Sequence, residues 1–207
     1  MTWRGLRDDR GQAFPLYAVF TVLLLFAALA FFTVGKAGIV RSDAQGAADA
    51  AALAAAREAR DNLVPGLDLA SLPPEAWERV VEGRDLDGSG ACGAAASFAA
   101  SNDATTTCSR SRLRFTVKVT TNGTVGDSVV PGVSGQRGKA GATAEVTPRC
   151  RIGPGGGGAV EPSPTPPGPP GPIKFTCKGG KVIDFDPARP KPWPSLAKAL
   201  FDIRLVD

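Results

Sequence analysis

An uncharged apolar run, residues 13–34 (AFPLYAVFTVLLLFAALAFFTV), dominates the pattern of the chain. Arg10 and Lys36 close it on either side. As a helix it spans about 33 Å, the thickness of one bilayer core. The pattern then changes without a helix breaker. GKAGIVRSD leads into AQGAADAAALAAAREAR, an alanine-rich run that predicts continuation of the same helix into water, ending near Asn62 ahead of Pro65-Gly66. Pro15 suits the first helical turn, where no hydrogen bond is lost. Small residues recur at i, i+4 as Gly38, Ser42, Gly46, Ala50 and Ala54, a row that lets another helix approach closely. A helical glycine costs about 1 kcal/mol relative to alanine, so propensity alone does not explain the row. Asp49 is the lone charge in residues 46–56, with Gln45 at i−4 and Leu53 at i+4. It needs a donor from a second helix if that face is buried, and none if it faces water. Arg57 and Asp61 stand at i, i+4, a spacing that allows an ion pair.

Beyond residue 62 the periodicity shortens. Residues 63–90 form a connector holding a short helix over 74–82, whose Trp77, Val80 and Val81 share one face and dock onto the rest. CGAAASFAA, residues 92–100, predicts a helix ending at Ser101-Asn102. From Arg112 to Thr121, Leu113, Phe115, Val117 and Val119 alternate with polar residues, the pattern of a half-buried strand. Asn122-Gly123 is a turn signal, and a Gly-rich loop follows as far as Gly141. A strand over 142–147 runs on to Cys150-Arg151-Ile152. Residues 153–172 (GPGGGGAVEPSPTPPGPPGP) are low complexity and predict a disordered loop. Residues 173–177 and 182–185 form a hairpin, 194–200 a short helix and 201–206 a last strand. The expected fold is α+β. It divides into a cytoplasmic tail (1–12), a transmembrane helix (13–35), its alanine-rich extension (36–62), the connector (63–90) and a small extracytoplasmic sheet-and-helix domain (91–207).

Composition narrows the chemistry. Among 207 residues there is no histidine, which removes histidine triads, histidine metal sites and histidine acid–base catalysis. The net charge of +4 is too diffuse along the chain for a nucleic-acid patch. Cys92, Cys108, Cys150 and Cys177 all follow the apolar run, and an even number in an exported part implies two disulfides. Of three possible pairings, the local one, Cys92–Cys108 with Cys150–Cys177, brackets sensible units. A four-cysteine metal site lacks any C-x-x-C pair. The long apolar run and the poor cleavage context at Gly35-Lys36-Ala37 favour an uncleaved anchor over a signal peptide. Arg4, Arg7 and Arg10 place the N-terminus in the cytoplasm, and the cysteines place the C-terminal part outside.

Three strings resemble chemical motifs. Asp85-Leu86-Asp87-Gly88-Ser89-Gly90 resembles the start of a calcium loop, but Ala96 stands where a bidentate Glu is required, so a polar turn before the helix is expected. Residues 135–140 (GQRGKA) have the wrong glycine spacing for a phosphate loop, and Ala140 replaces its Ser/Thr. Asn122-Gly123-Thr124 is formally a glycosylation sequon, although a turn is the expected use. The serines have no base at a useful spacing. No catalytic, cofactor or metal site and no small-molecule substrate is expected.

Residues 10–56 resemble the N-terminal segment of TadE/TadG-like proteins of the Flp (Tad) pilus-assembly system. The residues that carry the resemblance are Arg10-Gly11 before the span, then Arg41, Gln45 and the run Ala47-Ala48-Asp49-Ala50-Ala51-Ala52-Leu53. It implies a non-enzymatic membrane component that acts by anchoring and helix packing with protein partners. Two features depart from the wider family. Pilin-like relatives carry Glu five residues after a Gly cleavage point, where this chain has Leu16 after Gly11. The D-x-S-x-S metal string of longer relatives is absent. The other reading is an anchored extracytoplasmic binding or sensor module unrelated to pili. Genes for a pilus ATPase and pilin nearby would discriminate the two.

Overall fold

The computed structural model describes residues 13–73, 75–124, 126, 135–153 and 172–206. The tail expected over 1–12 lies outside the described residues, as does the loop expected over 153–172 apart from its two end residues.

One helix, α1 (Ala13–Asp61), carries both the apolar run and the alanine-rich run without interruption. Its first half is bare, and one face of its second half is buried. The helix extends beyond the apolar run as expected, and there Ala44, Ala47, Ala48, Ala51, Ala52, Ala55, Ala56 and Ala59 are core residues of the domain. Alanine suits the place for two reasons. It is the best helix former, and its single methyl lets a sheet and a second helix come close. From Ala44 to Ala59 the helix thus contributes a face to the domain core.

The remaining elements wrap that buried half. After α2 (Ala76–Val81) and α3 (Ala91–Ser101) come β1 (Ala104–Ser111), β2 (Arg114–Thr124) and β3 (Arg137–Pro148). The chain continues through β4 (Cys150–Ile152), β5 (Ile173–Cys177), β6 (Val182–Phe185), α4 (Trp193–Leu200) and β7 (Phe201–Val206). A four-stranded antiparallel sheet has the order β1-β2-β3-β7, and a smaller one the order β4-β5-β6. On the large sheet Phe115, Val117, Val119, Ala144 and Val146 point inward, under α1 and α3. The other face is exposed or half-exposed and lined by threonines and cations such as Lys118 and Lys139, as expected for a half-solvated antiparallel sheet. The architecture is α+β.

Three sequence expectations change here. The stretch ATTTCSRS, given no element above, is the edge strand β1, and only Ala104 on it is fully buried. Asn122-Gly123 lies within β2 at a register irregularity between Thr120 and Thr124, not in a turn. Asn122 donates to the Asp103 carboxylate at 3.0 Å. β3 begins at Arg137, so RGKAG is strand rather than loop. Gly138 is the reason for its composition. A Cβ there would collide with the Val40 carbonyl oxygen and lie 3.0 Å from the Ala44 Cβ.

Two disulfides staple the domain. Cys92–Cys108 joins α3 to β1, and Cys150–Cys177 joins directly paired residues of β4 and β5. Trp77 of α2 fixes the small sheet, with ring centroids 5.6 Å from Phe175 and 4.8 Å from Phe185. The C-terminal end of α1 is tied down as well. Trp193 Nε1 donates to the Arg60 carbonyl at 3.0 Å, satisfying one of the carbonyls a helix end leaves open. Arg60 takes Asp61 as its ion-pair partner at 2.8 Å, so the carboxylate that could have met Arg57 is engaged by its nearer neighbour.

Candidate functional site

The features with functional meaning lie on α1 and at its junction with the domain. Large apolar side chains from Phe14 to Val34 are 50–83% exposed, so nothing in the domain covers them. Among the described residues α1 is the one helix long and apolar enough to cross a membrane. Lys36 marks its upper limit, with Nζ 5.9 Å from the Phe32 ring centroid. A lysine there can extend its stem along the apolar surface of the helix while its charge stays in water.

The domain takes hold of α1 almost at once. Gly138 meets the helix at Val40, and a Cβ at Gly126 would lie 3.5 Å from Lys36 Nζ. Only about two helical turns separate Val34 from the first packed residues, some 9–15 Å of rise. The apolar run and the domain core therefore share one rod.

The small-residue row divides along that rod. Gly38, Ser42 and Gly46 are exposed, Asp49 and Ala50 are half-buried, and Ala54 is inside the core. The cause is geometric. An i, i+4 row turns about 40° per step around a helix of 3.6 residues per turn. From Gly38 to Ala54 that amounts to about 160°, so a row that starts facing solvent ends buried. Its lower part faces α3, which runs antiparallel to α1. Gly90, before α3, lies against the Glu58 side chain, and Asn102, after it, shares a hollow with Gly46 and Ala47. Asp49 has its donor on its own helix, where Gln45 Nε2 reaches it at 2.8 Å. What remains unexplained inside the chain is a set of glycines. A Cβ at Gly35, Gly38 or Gly46 would meet nothing within 4 Å, so no packing within the domain requires them.

The other sequence candidates resolve into local structure. Asp85 is buried and pairs with Arg79 at 2.7 Å. Asp87 accepts from the Ser89 N–H and the Ser89 hydroxyl, each at 2.8 Å, forming the polar turn before α3. Those bonds, the backbone one first, hold the Asp87 carboxyl below its usual range. No group of three candidate ligands for a metal ion occurs among the described residues. Residues 137–140 of the phosphate-loop-like string are strand. Sequence reading missed Gly138 as the contact that seats the helix. A glycine in an alternating strand was the available signal.

Residues 11–58 match the family model Tad, described as "Putative Flp pilus-assembly TadE/G-like". The match covers under a quarter of the chain. Within the described residues it lies wholly on α1 and includes both its bare and its buried half. No curated protein and no solved structure matches the chain.

Proposed function

We propose that this protein is a single-pass, non-enzymatic component of a Flp-type pilus-assembly machine, with its N-terminus in the cytoplasm and its disulfide-stapled domain outside. One observation carries the reading: the segment that matches the pilus-assembly family is the helix that is both the apolar span and the domain core. The two disulfides support an oxidising compartment for the domain. The exposed positions Gly35, Gly38, Ser42 and Gly46 supply a face on which a partner helix can approach closely at the membrane surface.

The test uses the full chain in its native membrane, with a photo-crosslinking amino acid in place of Ser42. Native Gly46 should give a crosslinked protein adduct, and Gly46→Leu should lower its yield several-fold. The same substitution should leave the domain as stable as before or raise its stability by up to about 1 kcal/mol, since the site is open and leucine is the better helix former. An undiminished yield in Gly46→Leu would remove the helix-packing part of the proposal.

A further inference from the structure

At the pole of the domain farthest from the span, Arg110, Arg112 and Arg114 alternate along one hairpin, and Arg84 joins them from the connector. Arg84, Arg110, Arg112 and Arg114 line an open hollow of about 990 Å³, with Glu82 and Glu145 as its carboxylates and Leu86, Leu113 and Val146 among its apolar lining. Two of the guanidinium groups are engaged within it. Arg84 pairs with Glu82 at 2.6 Å, and Arg114 approaches Glu145 at 3.6 Å, a carboxylate that Arg204 also reaches at 3.8 Å. Arg112 has no carboxylate partner among the described residues.

Arg112 is also the strained residue of the tip. β1 and β2 pair up to Ser111 and Arg114, leaving Arg112 and Leu113 as a two-residue turn. The φ of Arg112 is 55°, in the left-handed region, at a turn position that favours glycine. The surroundings hold it there. The Leu113 carbonyl accepts from the Val146 N–H at 3.0 Å, and the Leu113 side chain fills the space where a Cβ at Gly83 would be. An unpaired arginine is thus fixed at the rim in a conformation that arginine does not favour.

We infer that this hollow binds an acidic peptide segment, with the guanidinium groups taking carboxylates around an apolar side chain. Guanidinium matches carboxylate bidentately, and no lysine is among the lining residues. Leu86 and Val146 are buried, so half-exposed Leu113 is the apolar surface the hollow offers, one that a peptide side chain can cover and a hydrated phosphate chain cannot. The membrane that holds α1 is excluded as the ligand. Leu86 bridges to Leu63, just past the end of α1, which places the hollow about 40 Å of helix rise beyond Gly35.

The test measures binding of a fluorescein-labelled peptide, three repeats of Asp-Leu-Glu, to the full chain in nanodiscs at low ionic strength. Arg112→Gly removes the guanidinium and relieves the φ, so its thermal midpoint should be unchanged or raised while peptide affinity falls at least tenfold. Arg110→Gln should weaken binding further in the same background, and added salt should weaken binding to the native chain. Equal affinity of the native chain and R112G overturns the inference. So does tighter binding of a polyphosphate chain of equal charge, or absence of binding by the native chain.

Discussion

Gly138→Val should unfold the domain or leave it severely destabilised. Overpacking usually costs about 1–3 kcal/mol because side chains can shift. Here the atom in the way is the Val40 carbonyl oxygen of a helix backbone, and Ala44 closes the other side at 3.0 Å. Relief requires moving α1 off the sheet, which uncovers Val117, Val119 and the alanine face together. The expected loss is therefore at or above the upper end of that range. Gly93→Ala is the matched control, because a Cβ at that helical position meets nothing within 4 Å. It should gain up to about 1 kcal/mol. Thermal unfolding in detergent, followed by far-UV circular dichroism, separates the two. A Gly138→Val protein with the native midpoint would mean that the helix is not seated on β3.

Trp77→Ala should lose about 3–5 kcal/mol, the range for truncating a buried aromatic residue. Its ring is fully buried and bridges α2 to Phe175 and Phe185, so truncation detaches the small sheet from the rest of the core. Trp77→Phe should cost much less. It keeps most of the ring area, and it removes an indole N–H that is buried without a hydrogen-bond partner. The ratio of the two losses, measured by denaturant unfolding, reports how much of the effect is packing. Equal losses would indicate that the indole N–H has a role the geometry does not show.

Legibility in the sequence followed the strength of each local pattern. The apolar span declared itself by length and lack of charge. β2 was visible because Phe115, Val117 and Val119 alternate with polar residues at period two. α2 was visible through Trp77, Val80 and Val81. β1 was hidden because an edge strand tied to α3 by Cys108 needs little apolar surface, and ATTTCSRS offers almost none. The start of β3 was hidden for a related reason. RGKAG looks like loop, yet its Gly138 is the price of bringing a helix backbone against a strand. The alanine run is legible as helix, but which of its faces the domain buries is not. Periodicity has no power where nearly every residue is alanine, since all faces look alike. The i, i+4 row was visible, but its rotation from solvent at Gly38 to core at Ala54 needed the helix in three dimensions. Arg110, Arg112 and Arg114 stand together in the sequence, but Arg84 joins them only through the contact of the β1–β2 turn with Gly83.

That one uninterrupted helix is both the membrane span and the centre of the domain is testable by a single distance. Spin labels replacing Leu25, exposed in the span, and Arg57, exposed near the end of α1, can be attached through engineered cysteines, since all four native cysteines are in disulfides. In the full chain reconstituted in a bilayer, dipolar electron resonance should give one narrow distribution near about 48 Å, set by the rise of 1.5 Å per residue. A broad distribution, or one centred well below that value, would show that α1 breaks between the apolar run and the domain core and would contradict the account.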